Sequence, residues 1–190
     1  MNKYLLFFLP LFLQISTGCS TYGVKKEMLV KNNLTFKELI KIKMQDLISY
    51  AKEKNPQFPF AAMIIETDSG KEICRGINNS SSNPTLHGEI AVINNCVESY
   101  GNANLNWPSL TLITTAEPCP MCQGAIVWSG IGKIVYGTSI KTLIKKGWRQ
   151  TNITSKEICE RSNFNKPEVI GDVLNEQTDL LFIDRNKNNP

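Results

Sequence analysis

Hydrophobic positions change period several times along the chain, and each change marks an element. Residues 4–15 (YLLFFLPLFLQI) are apolar almost without interruption and follow Lys3. This run is shorter than the roughly 20 residues a helix needs to cross a bilayer. Residues 20–34 are polar and aperiodic and read as a tether. From Thr35 the pattern turns helical. Phe36, Leu39, Ile40, Met44, Leu47, Ile48 and Ala51 recur at i, i+3, i+4 spacing behind a Thr35-x-x-Glu38 capping-box pattern, and the run stops near Asn55-Pro56. Residues 60–66 (FAAMIIE) and 72–77 are short strand runs on either side of the turn Asp68-Ser69-Gly70, which predicts a hairpin.

Residues 78–83 (NNSSSN) have loop composition, and a helix is expected from about Leu86 to Glu98. A strand at 110–115 follows. A helix opened by Cys119 stops at Gly130, and a strand at 133–136 ends at Gly137. The remainder reads as two or three short helical pieces, with a last strand at 169–173. A hairpin followed by alternating strands and helices predicts an α/β fold: three α/β/α layers around a mixed sheet. The 190 residues suffice for one domain with a real core, placed at 35–190 behind segments 1–19 and 20–34. A net charge of +4 neither demands nor excludes a polyanionic partner. The one local basic run, 141–149 (KTLIKKGWR), reads as a solvated face rather than a nucleic-acid patch.

The chemistry concentrates in two short segments. His87, the only histidine, stands in His87-Gly88-Glu89, and downstream comes Pro118-Cys119-Pro120-Met121-Cys122. H-x-E followed by P-C-x-x-C is the signature of zinc nucleobase deaminases. Hydrolytic zinc sites take three protein ligands and leave one position to water, and His87, Cys119 and Cys122 supply three. Cys119 and Cys122, at i and i+3 on a helix start, can present both sulfurs on one face, where the helix N-terminus favours thiolates. Glu89 supplies the carboxylate for proton transfer. C-x-x-C alone also fits a redox pair or half of a structural zinc site. The second would need a fourth ligand such as Cys74 or Cys96. With Cys119 and Cys122 allotted to the metal, Cys74 in a strand run and Cys96 on an apolar helix face read as buried free thiols.

The match extends beyond the zinc signature. Residues 83–89 (NPTLHGE) and 110–131 resemble the corresponding segments of bacterial guanine deaminases and tRNA adenosine deaminases in the cytidine deaminase-like superfamily. Pro59-Phe60-Ala61-Ala62 resembles their P-F-G-A strand entry, and Gly76-Ile77-Asn78 their G-x-N. The chain departs at Asn83, usually Asp, at Gly88, usually Ala, and in that the segment after Tyr136 lacks the acidic residue expected for reading guanine. The resemblance implies a mixed five-stranded sheet, bound Zn2+ and a homodimer. It also implies substrate contacts from Asn78 and Phe60, with Trp128 walling a flat base or else packing in the core. The implied reaction is hydrolytic deamination of a nucleobase or nucleoside, with guanine or a related purine favoured. Adenosine in tRNA, cytosine and cytidine are the alternatives.

At the other end, Ser16-Thr17-Gly18-Cys19 after the apolar run resembles a bacterial lipoprotein signal, departing at Ser16. It implies lipidation of Cys19 and a protein held at the periplasmic side of a membrane. An ordinary cleaved secretion signal, or a retained apolar tail on a cytoplasmic protein, are the alternatives. Export disfavours a nucleic-acid substrate.

Overall fold

A computed structural model describes residues 34–188. The apolar leader, Cys19 and the tether lie outside them. Helix α1 (Phe36–Lys54) starts where the capping box places it. The Thr35 hydroxyl accepts the Glu38 N–H at 3.3 Å, and the Thr35 N–H donates to the Glu38 carboxylate at 2.8 Å. Its predicted apolar stripe from Leu39 to Ala51 is buried.

Five strands form one sheet: β1 (Ala61–Glu66), β2 (Glu72–Ile77), β3 (Leu110–Ala116), β4 (Lys133–Thr138) and β5 (Glu168–Ile170), in the order β2-β1-β3-β4-β5. β1 runs antiparallel to β2 and β3, while β3, β4 and β5 are parallel. Alternation along the strands divides the core. Met63, Ile65, Ile113 and Val135 face α1, whereas Ala62, Ile64, Leu112 and Ile134 face helices α2 (Gly88–Tyr100) and α3 (Pro120–Ser129). Both sheet faces are covered, so the central strands are apolar throughout rather than alternating. This is the expected mixed α/β sheet with helices on both sides.

Three short α-helices follow β4 among the described residues: α4 (Ile140–Lys145), α5 (Ser155–Arg161) and α6 (Asn175–Thr178). The last strand is shorter than its apolar run suggests. Asp172 and Leu174 adopt φ of 59° and 52°, a left-handed conformation that takes the chain out of the sheet. Gly137 does not end β4. A Cβ there would lie 2.4 Å from Thr178, so the glycine lets α6 close on the strand.

One expectation is overturned. Cys74 and Cys96 are not free thiols but a disulfide joining β2 to α2, with Cα atoms 5.6 Å apart. The approach that permits it comes from Gly76, where a Cβ would meet the Val92 backbone nitrogen at 2.4 Å. A strand and a helix 22 residues apart in sequence thus touch backbone to backbone. Cys159 remains a buried free thiol. The basic run divides: Lys141, Lys145 and Arg149 are exposed, Trp148 is buried, and Lys146 donates to the carbonyls of Asp179 and Phe182.

Candidate active site

The strand register brings the start of β1 together with the ends of β2, β3 and β4. Ala61 pairs with Ile77, Ala62 with Thr114, and Ala116 with Thr138. The chain leaves the sheet at this edge into the loops that carry the signature residues. His87 and Cys119 are the N-cap residues of α2 and α3, and neither side chain caps its own helix. Both are free to face each other. His87 Nδ1 lies 3.7 Å from Cys119 Sγ and 3.6 Å from Cys122 Sγ. Bond lengths of a tetrahedral zinc with one imidazole and two thiolates would separate nitrogen from sulfur by about 3.6 Å, so the donor set fits that ion. No further histidine, cysteine or carboxylate joins the cluster among the described residues. Cys74 and Cys96 are bonded to each other, which removes the fourth ligands a closed structural site would have used.

Glu89 follows in the first turn of α2 and is only 4% exposed. The Thr114 hydroxyl, buried on β3, donates to its carboxylate at 2.9 Å. Burial raises the Glu89 pKa, reinforced by the neighbouring Cys119 charge, while Thr114 and His87 oppose the rise. Cys119 is pushed down to about 4, chiefly by a hydrogen bond from Cys122 and, against burial, by His87. Cys122 is pushed up by the same hydrogen bond and by burial. The hydrogen bond between the two sulfurs thus favours the thiolate on Cys119 and the thiol on Cys122. The His87 imidazolium is favoured by its hydrogen bond to Cys119.

Two further residues hold this geometry. Glu117, buried at the end of β3, accepts the Ile140 N–H and the Ser155 N–H, each at 2.9 Å. These are the first residues of α4 and α5, so one carboxylate ties both helix N-termini to the loop bearing Cys119. Ser155 Oγ adds a 3.3 Å hydrogen bond to the Pro118 carbonyl. Gly88 sits where a Cβ would come within 2.5 Å of the Phe60 carbonyl oxygen, which explains Gly in place of Ala. Sequence reasoning missed Thr114 and Glu117. The signal available was a polar residue inside an apolar strand and an acid beside Pro118.

The expected substrate contacts separate. Asn78 is buried at the same sheet edge, its side chain donating to Ser80 Oγ at 3.1 Å. The Phe60 ring packs against Trp148 and Phe182, with centroids 5.3 and 4.9 Å away. Trp128 is no core residue. It is 79% exposed in the last turn of α3, with its ring 4.8 Å from that of Phe164.

Residues 36–138 match the model of the cytidine and deoxycytidylate deaminase zinc-binding region. A tRNA-specific adenosine deaminase of Rickettsia felis is 31% identical over 136 residues, covering 70% of this chain and 88% of the relative. A guanine deaminase of Bacillus subtilis is 38% identical over 80 residues, covering 41% of this chain and 49% of the relative. The fold is similar to that of a guanine deaminase from Nitrosomonas europaea, with TM-score 0.62 at 20% identity and 96% of each chain covered. With the signature spanning the matched region, the chain belongs to the cytidine and deoxycytidylate deaminase zinc-binding family.

Proposed function

We propose that this zinc-dependent deaminase acts on a free purine base or its nucleoside, with guanine favoured, through Glu89 and a metal held by His87, Cys119 and Cys122. The observation that carries the reading is the buried Glu89 carboxylate at the edge of a three-ligand cluster that lacks a fourth protein donor among the described residues. Zinc, when bound, supplies water activated near neutral pH by lowering its pKa to about 7. The protein's own groups then divide the work. Thr114 fixes one carboxylate oxygen of Glu89. Glu89 takes a proton from water and returns it to the ring nitrogen, and ammonia departs from the carbon that gains the oxygen. Burial raises the Glu89 pKa, so the group can hold and release a proton nearer neutrality.

A purine base is favoured over tRNA by the disposition of the basic run. Lys146 is committed to carbonyls and Trp148 to the core, which leaves scattered exposed cations rather than a continuous phosphate track. The likeness to the Bacillus guanine deaminase supports the same choice. Asn78 and Phe60, joined by the Asn78 N–H donating to the Phe60 carbonyl at 2.9 Å, are the proposed contacts of the base. The test is ammonia release by the zinc-loaded chain from guanine, adenine, adenosine, guanosine, cytosine and cytidine, and inosine formation in a tRNA anticodon stem-loop. Glu89→Ala should keep zinc and lose activity by about 10²–10⁴-fold. Turnover retained in that variant would sink the mechanism, and activity on the stem-loop alone would sink the free-base reading.

We further propose that the protein is exported and lipid-anchored through Cys19, and that it is a homodimer. The Cys74–Cys96 disulfide supports export, because such bonds persist in oxidising compartments. Fatty-acid labelling that persists in Cys19→Ala would reject the anchor.

A further inference from the structure

The start of α1 and the chain that leaves β5 do not close on each other. Between them lies a groove of about 460 Å³. Phe36 and Ile40 of α1 line one side, and Ile170, Val173 and Leu174 the other. The second wall is bent out of the sheet, because Asp172 and Leu174 hold φ of 59° and 52°. A leucine rarely takes that conformation and keeps it only where its surroundings impose it. β5 pairs with β4, and among the described residues no strand pairs with its other side. The groove thus lies beside an open strand edge, which proteins usually cover. Its charged side chains are exposed and stand at the rim: Lys37 and Lys41 on the helix, Asp172 and Glu176 opposite. Clefts for small molecules set a few polar groups among the apolar ones to orient the ligand. Apolar walls under a rim of both charges suit the side chains of a peptide instead.

The chain itself supplies such a peptide. Phe36 opens α1 and lines the groove, so the sequence before Leu34 joins the domain at the groove's own wall. Residues 20–34 (STYGVKKEMLVKNNL) are mostly polar and hold one run of three apolar residues, Met28-Leu29-Val30. Lys26 and Glu27 precede the run and Lys31 follows it, so its flanks carry both signs, as the rim does. Val30 stands six positions before Phe36, a stretch that extends to about 20 Å. From Phe36 to Lys41 the helix rises only about 8 Å. The run can therefore turn back and lie along the whole groove. A connection this short gives an effective concentration of millimolar order, so a modest contact suffices to hold it.

We infer that Met28-Leu29-Val30 docks in the groove between the start of α1 and residues 170–174, covering the open side of β5. Lys26 and Lys31 then meet Asp172 and Glu176, and Glu27 meets Lys37 or Lys41. The docking depends on neither the substrate nor the metal. It bears on the proposed anchor at Cys19. With residues 28–30 held on the domain, residues 20–27 alone span the distance to a lipidated Cys19, at most about 28 Å. The domain would sit close to the membrane surface rather than swing on a long tether.

The test uses the zinc-loaded full chain in mild detergent and reads amide hydrogen exchange. Residues 28–31 should exchange about tenfold or more slowly than the same sequence as a free peptide. Leu29→Asp should remove that protection and speed exchange at residues 170–174, with zinc content unchanged. Exchange of residues 28–31 at the free-peptide rate in the wild type would overturn the docking. So would a Leu29→Asp chain whose residues 170–174 exchange as before. A cross-link gives an independent reading. The paired variant Leu29→Cys, Glu176→Cys should be joined within one chain by a short bismaleimide, and neither single variant should give that linked peptide. Slow exchange at 28–31 without the cross-link would mean that the run packs elsewhere and that the groove belongs to another occupant.

Discussion

At the scale of single residues, the site depends on side chains released from ordinary duties. N-cap positions usually favour Ser, Thr, Asp or Asn, whose oxygens satisfy a helix N–H. Here they hold His87 and Cys119, whose side chains face each other instead. Glu89 relies on Thr114, and that contact makes a prediction. Thr114→Val keeps the shape and removes the hydroxyl. A hydrogen bond to a charged group contributes about 1.5–3 kcal/mol, so kcat near neutral pH should fall about tenfold or more with zinc content unchanged. The hydrogen bond from Thr114 lowers the Glu89 pKa, so its loss raises that pKa further. In the proposed role Glu89 must be ionised to accept a proton from water. The acid limb of the kcat profile should therefore start above the ordinary carboxylate range in the wild type and move to still higher pH in the variant. An unmoved limb would show that Thr114 is merely structural. The spacing alone names His87, Glu89, Cys119 and Cys122 as the candidate residues, and the fold brings His87, Cys119 and Cys122 into one cluster. Thr114 could not be named that way, because its role exists only where β3 passes beneath the start of α2.

At the scale of elements, α2 is held by three local devices. Gly76 admits its backbone against β2, Gly88 admits its first turn against the Phe60 carbonyl, and the Cys74–Cys96 disulfide ties the two elements together. All three act on the helix that begins at His87 and carries Glu89. Replacing both Cys74 and Cys96 by Ala should lower unfolding stability by about 2–4 kcal/mol in a denaturant titration. Reducing agent should act on the wild type in the same direction and leave the double variant unaffected. Equal stability of wild type and variant under oxidising conditions would mean that β2 and α2 hold together by packing alone. The disulfide was hidden in the sequence because nothing local pairs Cys74 in a strand run with Cys96 on a helix face 22 residues away. Only the close approach of β2 and α2 selects Cys74 and Cys96 and leaves Cys159 buried alone.

At the scale of the whole molecule, the metal site joins parts of the chain that have no local reason to meet. α2 and the loop before α3 leave different strands, and Glu117 ties that loop to α4 and α5. Bound zinc adds a cross-link across the sheet edge. Stripping it with a chelator should abolish activity and lower the unfolding temperature, and zinc should restore both, because a ligand bound only by the folded state stabilises it. The stripped protein should also become open to oxidation at Cys119 and Cys122, whose sulfurs lie within 4.8 Å of each other. Thiol counting before and after metal removal reads this directly, and an apo protein whose thiols resist oxidation would contradict it.

What could be decided along the chain was decided by period and spacing. The α1 stripe, the β1–β2 hairpin, the alternating strands and helices and the H-x-E and P-C-x-x-C segments all depend on residues a few positions apart. Local sterics, hydrogen bonding and side-chain direction suffice to read them. What depended on distant segments meeting needed the tertiary structure: the partner of Cys74, the hydroxyl behind Glu89, the helix ends held by Glu117 and the exposure of Trp128. Burial and contact are properties of the packed sheet, and the same residue types in the same order carry no record of which far segment will cover them.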